Sequence, residues 1–164
     1  MDTTDVMDTT DVPEFAVRPI GIVKSSRREP IDDDWATVGA SITLLPPFDA
    51  RALLGLNEFS HIEVLFLFDG VDPESVSTGS RRPRGNPAWP DVGIFAQRAK
   101  DRPNRLGLCT CELVEVRGDT LEVRALDAIN GTPVLDIKPY MAEFAPGQPV
   151  RQPAWSHELM AGYF

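Results

Sequence analysis

Short apolar runs separated by turn residues constrain the fold of this chain more than any other feature of its sequence. The clearest pair is residues 108–116 and 120–126, which flank an Arg-Gly-Asp turn at positions 117–119. Apolar and charged residues alternate from Leu121 to Ala125, which is the pattern of a strand with one buried face. The two runs therefore predict a β-hairpin.

Five further apolar runs predict additional strands, at residues 15–23, 40–45, 62–68, 92–96 and 134–137. Pro19 places the first of these strands at an edge or a bulge. The almost uninterrupted run at 62–68 predicts a central strand that is buried on both faces. Residues 49–54, which are followed by Gly55, predict one short helix.

The number and order of these elements favour a mainly-β fold. No glycine-rich loop opens a helix after a strand, and strands do not alternate with helices, so a doubly wound nucleotide-binding fold is not expected. Many short strands with long loops, the longest at residues 71–91, are typical of a closed or nearly closed barrel. We therefore predict a single-domain β-barrel with one or two short helices and long loops.

Three segments follow from this interpretation. The hexapeptide Met-Asp-Thr-Thr-Asp-Val occurs twice in the first twelve residues, and so short and polar a repeat predicts a disordered acidic tail over residues 1–13, with Met7 as an alternative start. Residues 14–142 are the predicted barrel domain. Residues 143–164 are a proline-rich tail in which residues 155–160 favour a short helix.

Composition narrows the protein classes to consider. No apolar run approaches the ~18 residues that a membrane span needs, and no signal-peptide pattern opens the chain. Cys109 and Cys111 are too close along one strand to pair, so we expect free, buried thiols in a reducing compartment. The two histidines supply no recognisable metal motif. These observations predict a soluble cytoplasmic protein without a metal or a membrane partner.

The charge distribution is uneven. A net charge of −9 argues against a nucleic-acid partner, because phosphate binding depends on Lys and Arg. Yet seven of the sixteen basic residues lie within residues 81–105, namely Arg81, Arg82, Arg84, Arg98, Lys100, Arg102 and Arg105. Only two carboxylates oppose them there, which leaves a local charge of about +5. These side chains either face an anion or are solvated and paired with carboxylates.

The densest polar side chains lie in two stretches at the ends of predicted strands. Residues 101–107 have the sequence Asp-Arg-Pro-Asn-Arg-Leu-Gly, and residues 127–140 have the sequence Asp-Ala-Ile-Asn-Gly-Thr-Pro-Val-Leu-Asp-Ile-Lys-Pro-Tyr. Polar groups on loops at strand ends belong to sites more often than to cores. The two stretches therefore predict a functional site.

These stretches also resemble a known family. Together with Pro-Ile-Gly at 19–21, Leu-Asn-Glu-Phe-Ser-His at 56–61 and Gly-Ile-Phe-Ala-Gln-Arg at 93–98, they match the TsaA-like family, also called TrmO-like or YaeB-like, in order from about residue 15 to residue 140. Its characterised members are S-adenosyl-L-methionine-dependent methyltransferases that act on N6 of the modified adenosine beside the tRNA anticodon. The resemblance implies a β-barrel, a homodimer, and methyl-donor binding near the subunit boundary.

Site residues are carried over from the family by position. The resemblance implies donor contacts from Asp69, Gly70, Arg98, Leu108, Asp127, Ala128, Ile129 and Asn130. It implies base positioning and proton handling by Asp136, Lys138 and Tyr140, for which a structural salt bridge and a hydrogen-bonded barrel closure are the alternative. We expect the Trp35 ring either to stack on an adenine or to anchor its own loop.

The candidate contacts to RNA are Arg81, Arg82, Arg84, Arg102, Asn104 and Arg105. A carboxylate on the family's modified adenosine would give an arginine a bidentate partner, although Arg102 and Asn104 could instead shape their loop. The function that the resemblance implies is N6 methylation of threonylcarbamoyl-adenosine 37 in the tRNA anticodon loop. The alternative is a non-catalytic regulatory module that binds S-adenosylmethionine or RNA, which the low isoelectric point and the short tail favour.

Overall fold

Six antiparallel strands close a barrel in the computed structural model, which describes residues 12–164. The strands of the chain are β1 (Gly21–Ser25), β2 (Gly39–Leu44), β3 (His61–Leu67), β4 (Ser80–Arg81), β5 (Val92–Gly93), β6 (Leu106–Arg117), β7 (Thr120–Arg124) and β8 (Pro133–Pro139). Their order around the barrel is β1-β2-β7-β6-β3-β8, and β4 pairs with β5 in a separate two-stranded sheet. The first eleven residues of the predicted tail lie outside the described residues.

The predicted fold class is confirmed. Besides the strands, the structure has one α-helix, α1 (Ala154–Met160), and short 3-10 turns, including Ala50–Leu53 where a short helix was predicted. Asp49 caps that turn by accepting from the Arg51 amide, and Gly55 follows it with a φ of 82°. Within residues 12–164, no helix is long and apolar enough to cross a membrane.

Two predicted strands are much shorter in the structure, and a third, predicted at 120–126, ends at Arg124. The strand predicted at 15–23 begins at Gly21, where Gly21 pairs with Leu44 on one side and Val134 on the other. Of the residues before it, Ile20 makes backbone hydrogen bonds to Val134 and Leu45. The strand predicted at 92–96 is limited to Val92–Gly93. Its remainder, Ile94–Ala96, forms a 3-10 turn that buries Ile94.

The β3 strand has one buried face, not the two that were predicted. Ile62, Val64 and Phe66 are almost completely buried inside the barrel, whereas the alternate residues Leu65 and Leu67 are only partly buried on the outer wall. A closed barrel gives each strand an inside and an outside, so an apolar residue on the outer side remains in contact with solvent. The apolar run thus marks the outer wall of β3 as unusually hydrophobic.

Cys109 and Cys111 point inward from β6 and are free and buried, as predicted. Burial is the main cause that raises the pKa of both thiols, with a smaller contribution from the Asp127 carboxylate. The pKa of Cys111 rises to about 12 from an ordinary 9.0. The folded protein therefore holds both thiol protons at a pH where the unfolded chain releases them.

We expect the free energy of unfolding to fall as pH rises above 9. Each thiol has a raised pKa in the folded state, so its contribution is complete below the unfolded pKa and is lost as pH increases, by about 1 kcal/mol per thiol between pH 9 and pH 10. Urea unfolding at both pH values measures the slope. A double variant, Cys109→Ala with Cys111→Ala, should flatten it, and an unchanged slope would contradict the prediction.

The stretch 101–107 and the first part of the stretch 127–140 meet at one end of the barrel. Connections in an antiparallel barrel alternate between its two ends, so the loops between β1 and β2, between β3 and β6, and between β7 and β8 lie together. We call the end that carries residues 26–38, 68–105 and 125–132 the site end. The β2–β3 connection and the β6–β7 hairpin turn lie at the opposite end.

Candidate functional site

Asp127 lies at the site end, in the connection from β7 to β8. The buried side chains of Leu126 and Ala128 anchor the backbone on either side of it. Its Oδ2 accepts a hydrogen bond of 2.8 Å from the Tyr163 hydroxyl. Its Oδ1 is buried without a partner, one of two such side-chain atoms within residues 12–164, the other being Nε of Arg81. A buried, unpaired carboxylate oxygen is costly unless a water, a ligand or a weak donor such as the nearby Cys109 thiol approaches it.

The turn after Asp127 is tied to the end of β1. The Asn130 amide donates to Arg27 O at 2.8 Å, and the Asn130 side chain accepts from the Ser25 amide at 3.2 Å. Gly131 has a φ of 90°, a conformation that favours glycine, and its amide donates to Val23 O. The Asn130 side chain therefore shapes this turn, and Ala128 is buried.

Trp35 anchors the β1–β2 loop. It is 3% exposed, its indole N–H donates to Asp32 O, and the Arg27 guanidinium covers the ring 4.2 Å from its centroid. Arg27 also donates to the carbonyls of Asp33 and Asp34. Since its ring is already enclosed, the loop-anchor alternative holds and stacking of Trp35 on an adenine is excluded in this conformation.

Arg98, Leu108 and Asp136 lie along the outer wall near the site end. The Arg98 guanidinium donates to Leu108 O. Leu108 pairs with Leu65 on β3, and Leu65 pairs with Asp136 on β8. Leu108, Leu65 and Asp136 therefore form one row across three neighbouring strands of the wall. Because neighbouring strands lie about 4.8 Å apart, Leu108 and Asp136 are roughly 10 Å apart. Asp69 and Gly70 follow β3 at this end and are exposed.

Asp136 and Lys138 form an ion pair of 2.7 Å on the outer face of β8. The hydrogen bond that the Lys138 ammonium donates to the Asp136 carboxylate raises the pKa of Lys138 above its ordinary value. Tyr140 follows β8 toward the opposite end, where its amide donates to His61 O at 3.0 Å. Asp136 and Lys138 thus lie on the outer side of β8, and Tyr140 lies just beyond its end. Within the described residues, no hydrogen bond joins any of the three to Asp127.

Most of the predicted RNA-contacting arginines also bind other parts of the protein. Arg81 forms a bidentate pair with Asp101, and Arg84 pairs with Asp33 at 2.8 Å. The guanidinium of Arg102 donates to Gln97 O, and that of Arg105 donates to Val71 O. These contacts hold the long β3–β6 connection in place. The residues that complete the set are Arg82, which is exposed, and Asn104, which is exposed with a φ of 62°.

The structure adds one candidate site residue that the sequence interpretation missed. Tyr163 follows α1 and reaches Asp127 across 36 positions of sequence, a separation at which no local pattern indicates contact. Burial, and then the Asp127 carboxylate, raise the pKa of Tyr163 above its ordinary 10.0. The phenol therefore stays protonated and able to donate.

Two grooves lie outside this cluster. The larger, of about 580 Å³, covers the outer face of β1, β2 and β7 and reaches Asn130. The smaller, of about 360 Å³, is an apolar groove toward the opposite end, lined by residues such as Phe48, Leu54 and Phe59. Asp127 lines neither groove. The candidate site is therefore identified by the buried, unpaired oxygen of this carboxylate and not by the size of a groove. Within residues 12–164, no group of three or more His, Cys, Asp or Glu could hold a metal ion.

Comparison with known proteins gives a consistent result. Residues 23–145 match the family model described as the tRNA-methyltransferase O N-terminal domain. The chain is 41% identical over 103 residues to the human tRNA (adenine(37)-N6)-methyltransferase, which covers 63% of this chain and 23% of that protein. It is 37% identical over 134 residues to a probable S-adenosyl-L-methionine-binding protein of Methanothermobacter thermautotrophicus, covering 77% of this chain and 90% of that protein.

A solved structure agrees with the barrel. The crystal structure of TrmO from Pseudomonas aeruginosa superimposes with a TM-score of 0.69 at 32% identity, covering 84% of this chain and 61% of that one. The chain therefore spans about a quarter of the human relative, most of the archaeal relative and under two thirds of the bacterial structure.

Proposed function

Because this chain belongs to the tRNA-methyltransferase O N-terminal domain family, we propose that it binds S-adenosyl-L-methionine and methylates N6 of threonylcarbamoyl-adenosine 37 in tRNA. The observation that carries the donor part is the buried, unpaired Oδ1 of Asp127 at the site end. An acceptor in that position fits a ligand that offers hydroxyl and amino donors, as the ribose and amino groups of this methyl donor do. When bound, the sulfonium supplies an electrophilic methyl group.

The protein's own part in the reaction is mainly positioning. An exocyclic adenine nitrogen is a weak nucleophile because its lone pair is delocalised into the ring. Alignment at the methyl group should therefore supply much of the rate, and an extruded base is easier to align. For the donor we propose hydrogen bonding to Asp127 and to the backbone of residues 128–130, with Asp69, Gly70, Arg98 and Leu108 at the borders of the site.

The reaction releases one proton from N6, and the Asp136–Lys138 pair suggests where it goes. The raised pKa of Lys138 keeps this side chain a cation, so it cannot act as the base. Asp136 is partly exposed and has a carboxylate oxygen bound to Lys138. We propose that Asp136 accepts the proton late in the transfer, that Lys138 orients it, and that Tyr140 supports the end of the strand.

The RNA surface is proposed along the β3–β6 connection. Arg82 is exposed there, and Arg81, Arg84, Arg102 and Arg105 keep donors beyond those used in their loop contacts, since a guanidinium has five. Asn104 lies on the same exposed turn. These residues could bind phosphate, and one arginine could bind the carboxylate of the modified adenosine in bidentate geometry.

We also propose a cytoplasmic homodimer. Exposed apolar side chains cluster at the site end of β6, where Leu106 is 37% exposed and Leu108 is 46% exposed. Contiguous apolar surface of this kind is typical of protein interfaces. The outward Leu65 and Leu67 of the neighbouring strand extend the same surface. A solution mass of a single chain by light scattering would contradict the dimer.

The experiment that tests the function has two steps. Calorimetric titration with S-adenosylmethionine measures donor binding, and methyl transfer is then measured on tRNA that bears threonylcarbamoyl-adenosine, with the same tRNA lacking that group as control. Binding and transfer only to the modified tRNA would support the enzyme. Absence of donor binding would refute both the enzyme and the donor-binding role.

The second candidate is a binding module without catalysis. The observation that favours it is the archaeal relative of similar length, which is described only as a probable S-adenosyl-L-methionine-binding protein. Donor binding without transfer to either tRNA would support this alternative over the enzyme.

A further inference from the structure

Residues 154–164 fold back onto the site end of the barrel. Helix α1 is held against the β3–β6 connection, where the Trp89 indole donates to a Glu158 carboxylate oxygen at 2.7 Å and the rings of Trp89 and Trp155 lie 6.5 Å apart. The segment thus contacts a loop that carries candidate substrate residues.

Beyond α1 the same segment pairs with the β1–β2 loop. The Asp34 amide donates to Gly162 O at 2.9 Å, and the Trp35 amide donates to Tyr163 O at 2.8 Å. Trp35 is itself fixed by burial. The Tyr163 backbone is therefore held by a rigid part of the site end.

The Tyr163 side chain uses this anchorage to reach the carboxylate. Its hydroxyl donates to Asp127 Oδ2, while Oδ1 remains buried and unpaired. The Asp32 carboxylate also lies near the phenol, but it cannot donate. The Cys109 thiol keeps its proton and is a weak donor, which lies against Asp127 and contacts the carbonyls of Thr110 and Ala125. The phenol is thus the strong donor to Asp127, and it occupies only one of the two carboxylate oxygens.

We propose that Tyr163 is a positioning residue of the donor site, which holds the Asp127 carboxylate by Oδ2 so that Oδ1 is presented to the hydroxyl or amino group of the methyl donor. This inference rests on the proposed function. A carboxylate that is already held in its binding orientation loses less conformational entropy when the ligand arrives. A charge-assisted hydrogen bond also offsets part of the cost of burying the carboxylate.

The arrangement has a competing interpretation with the opposite consequence. If the phenol occupied a position that the ligand needs, residues 161–164 would block the site and removing the hydroxyl would tighten binding. The phenol hydrogen-bonds only Oδ2, which favours positioning. Because Oδ1 is enclosed by the protein, the methyl donor reaches it only when the surrounding segment shifts.

Tyr163→Phe removes the hydroxyl and keeps the ring. We expect S-adenosylmethionine to bind about 10-fold more weakly by calorimetry, the effect of one hydrogen bond to a charged group. For the enzyme, KM for the donor should rise while kcat at saturating donor stays close to its original value. Phe164→Ala is the control, since it removes the neighbouring ring, 4.9 Å from that of Tyr163, and leaves the hydroxyl.

A double-mutant cycle distinguishes positioning from a loss of packing. If Tyr163 acts through the carboxylate, Tyr163→Phe should change donor affinity little in a protein that already carries Asp127→Asn. If Tyr163→Phe instead loosens the whole segment, its loss of affinity should add to the loss caused by Asp127→Asn. Unchanged or tighter binding by Tyr163→Phe alone would overturn the proposal. If the wild-type protein binds no donor, the proposed function is overturned as well. If the wild-type protein binds the donor and Tyr163→Phe binds it equally well, only the role of Tyr163 is overturned.

Discussion

Replacing Asp127 by asparagine is expected to weaken S-adenosylmethionine binding about 30-fold. Asparagine has nearly the same shape, but it removes the negative charge and replaces one acceptor oxygen by an amino group. Hydrogen bonds to charged groups contribute about 1.5–3 kcal/mol, and a loss near 2 kcal/mol corresponds to roughly this factor. The effect should be large because Oδ1 is buried and unpaired in the protein. Calorimetric titration at fixed ionic strength measures it.

The control for Asp127→Asn is Asp119→Asn. Asp119 lies in the hairpin turn between β6 and β7, at the end of the barrel opposite the site, and it is exposed. Both substitutions remove one negative charge, so a difference between them reports position rather than net charge. Equal and small changes in donor affinity would mean that the donor site does not include Asp127.

The barrel could be predicted from the sequence because its signals are local. The turn at Gly118, which has a φ of 60°, and the alternation along β7 specify a hairpin by themselves. The prediction that β3 is buried on both faces was wrong for a physical reason. Leu65 and Leu67 are apolar on the outer wall, and periodicity cannot distinguish burial inside a core from burial that a second chain would provide.

The site was less predictable because its contacts join distant parts of the chain. Arg84 pairs with Asp33 across 51 positions, so a cluster of arginines in the sequence did not show which of them have protein partners. Tyr163 was missed for the same reason, since nothing near it in sequence indicates Asp127. The motifs supplied the candidate residues, whereas the fold determined which of their side chains contact one another.

A second large effect is expected from Gly107→Ala, which should lower the free energy of unfolding by about 2–3 kcal/mol. A Cβ at this position of β6 would lie 2.5 Å from Phe66 Cζ and 2.9 Å from Phe66 Cδ2. Phe66 is 1% exposed and packs edge-on against Phe68, so its ring has little room to move. Overpacking of a dense core typically costs about 1–3 kcal/mol. Urea denaturation measures the change.

Gly39→Ala is the matched control, because Gly39 also lies in a barrel strand and a Cβ there would meet nothing within 4 Å. Phe66→Leu should make room for the added methyl group, so the double variant Gly107→Ala with Phe66→Leu should lose less stability than the sum of the single changes. That result would assign the glycine of the Arg-Pro-Asn-Arg-Leu-Gly motif to strand packing. If Gly107→Ala were instead as stable as Gly39→Ala but weakened donor binding, strand packing would not explain the need for glycine at this position. The explanation would then be a close approach of the ligand to the β6 backbone.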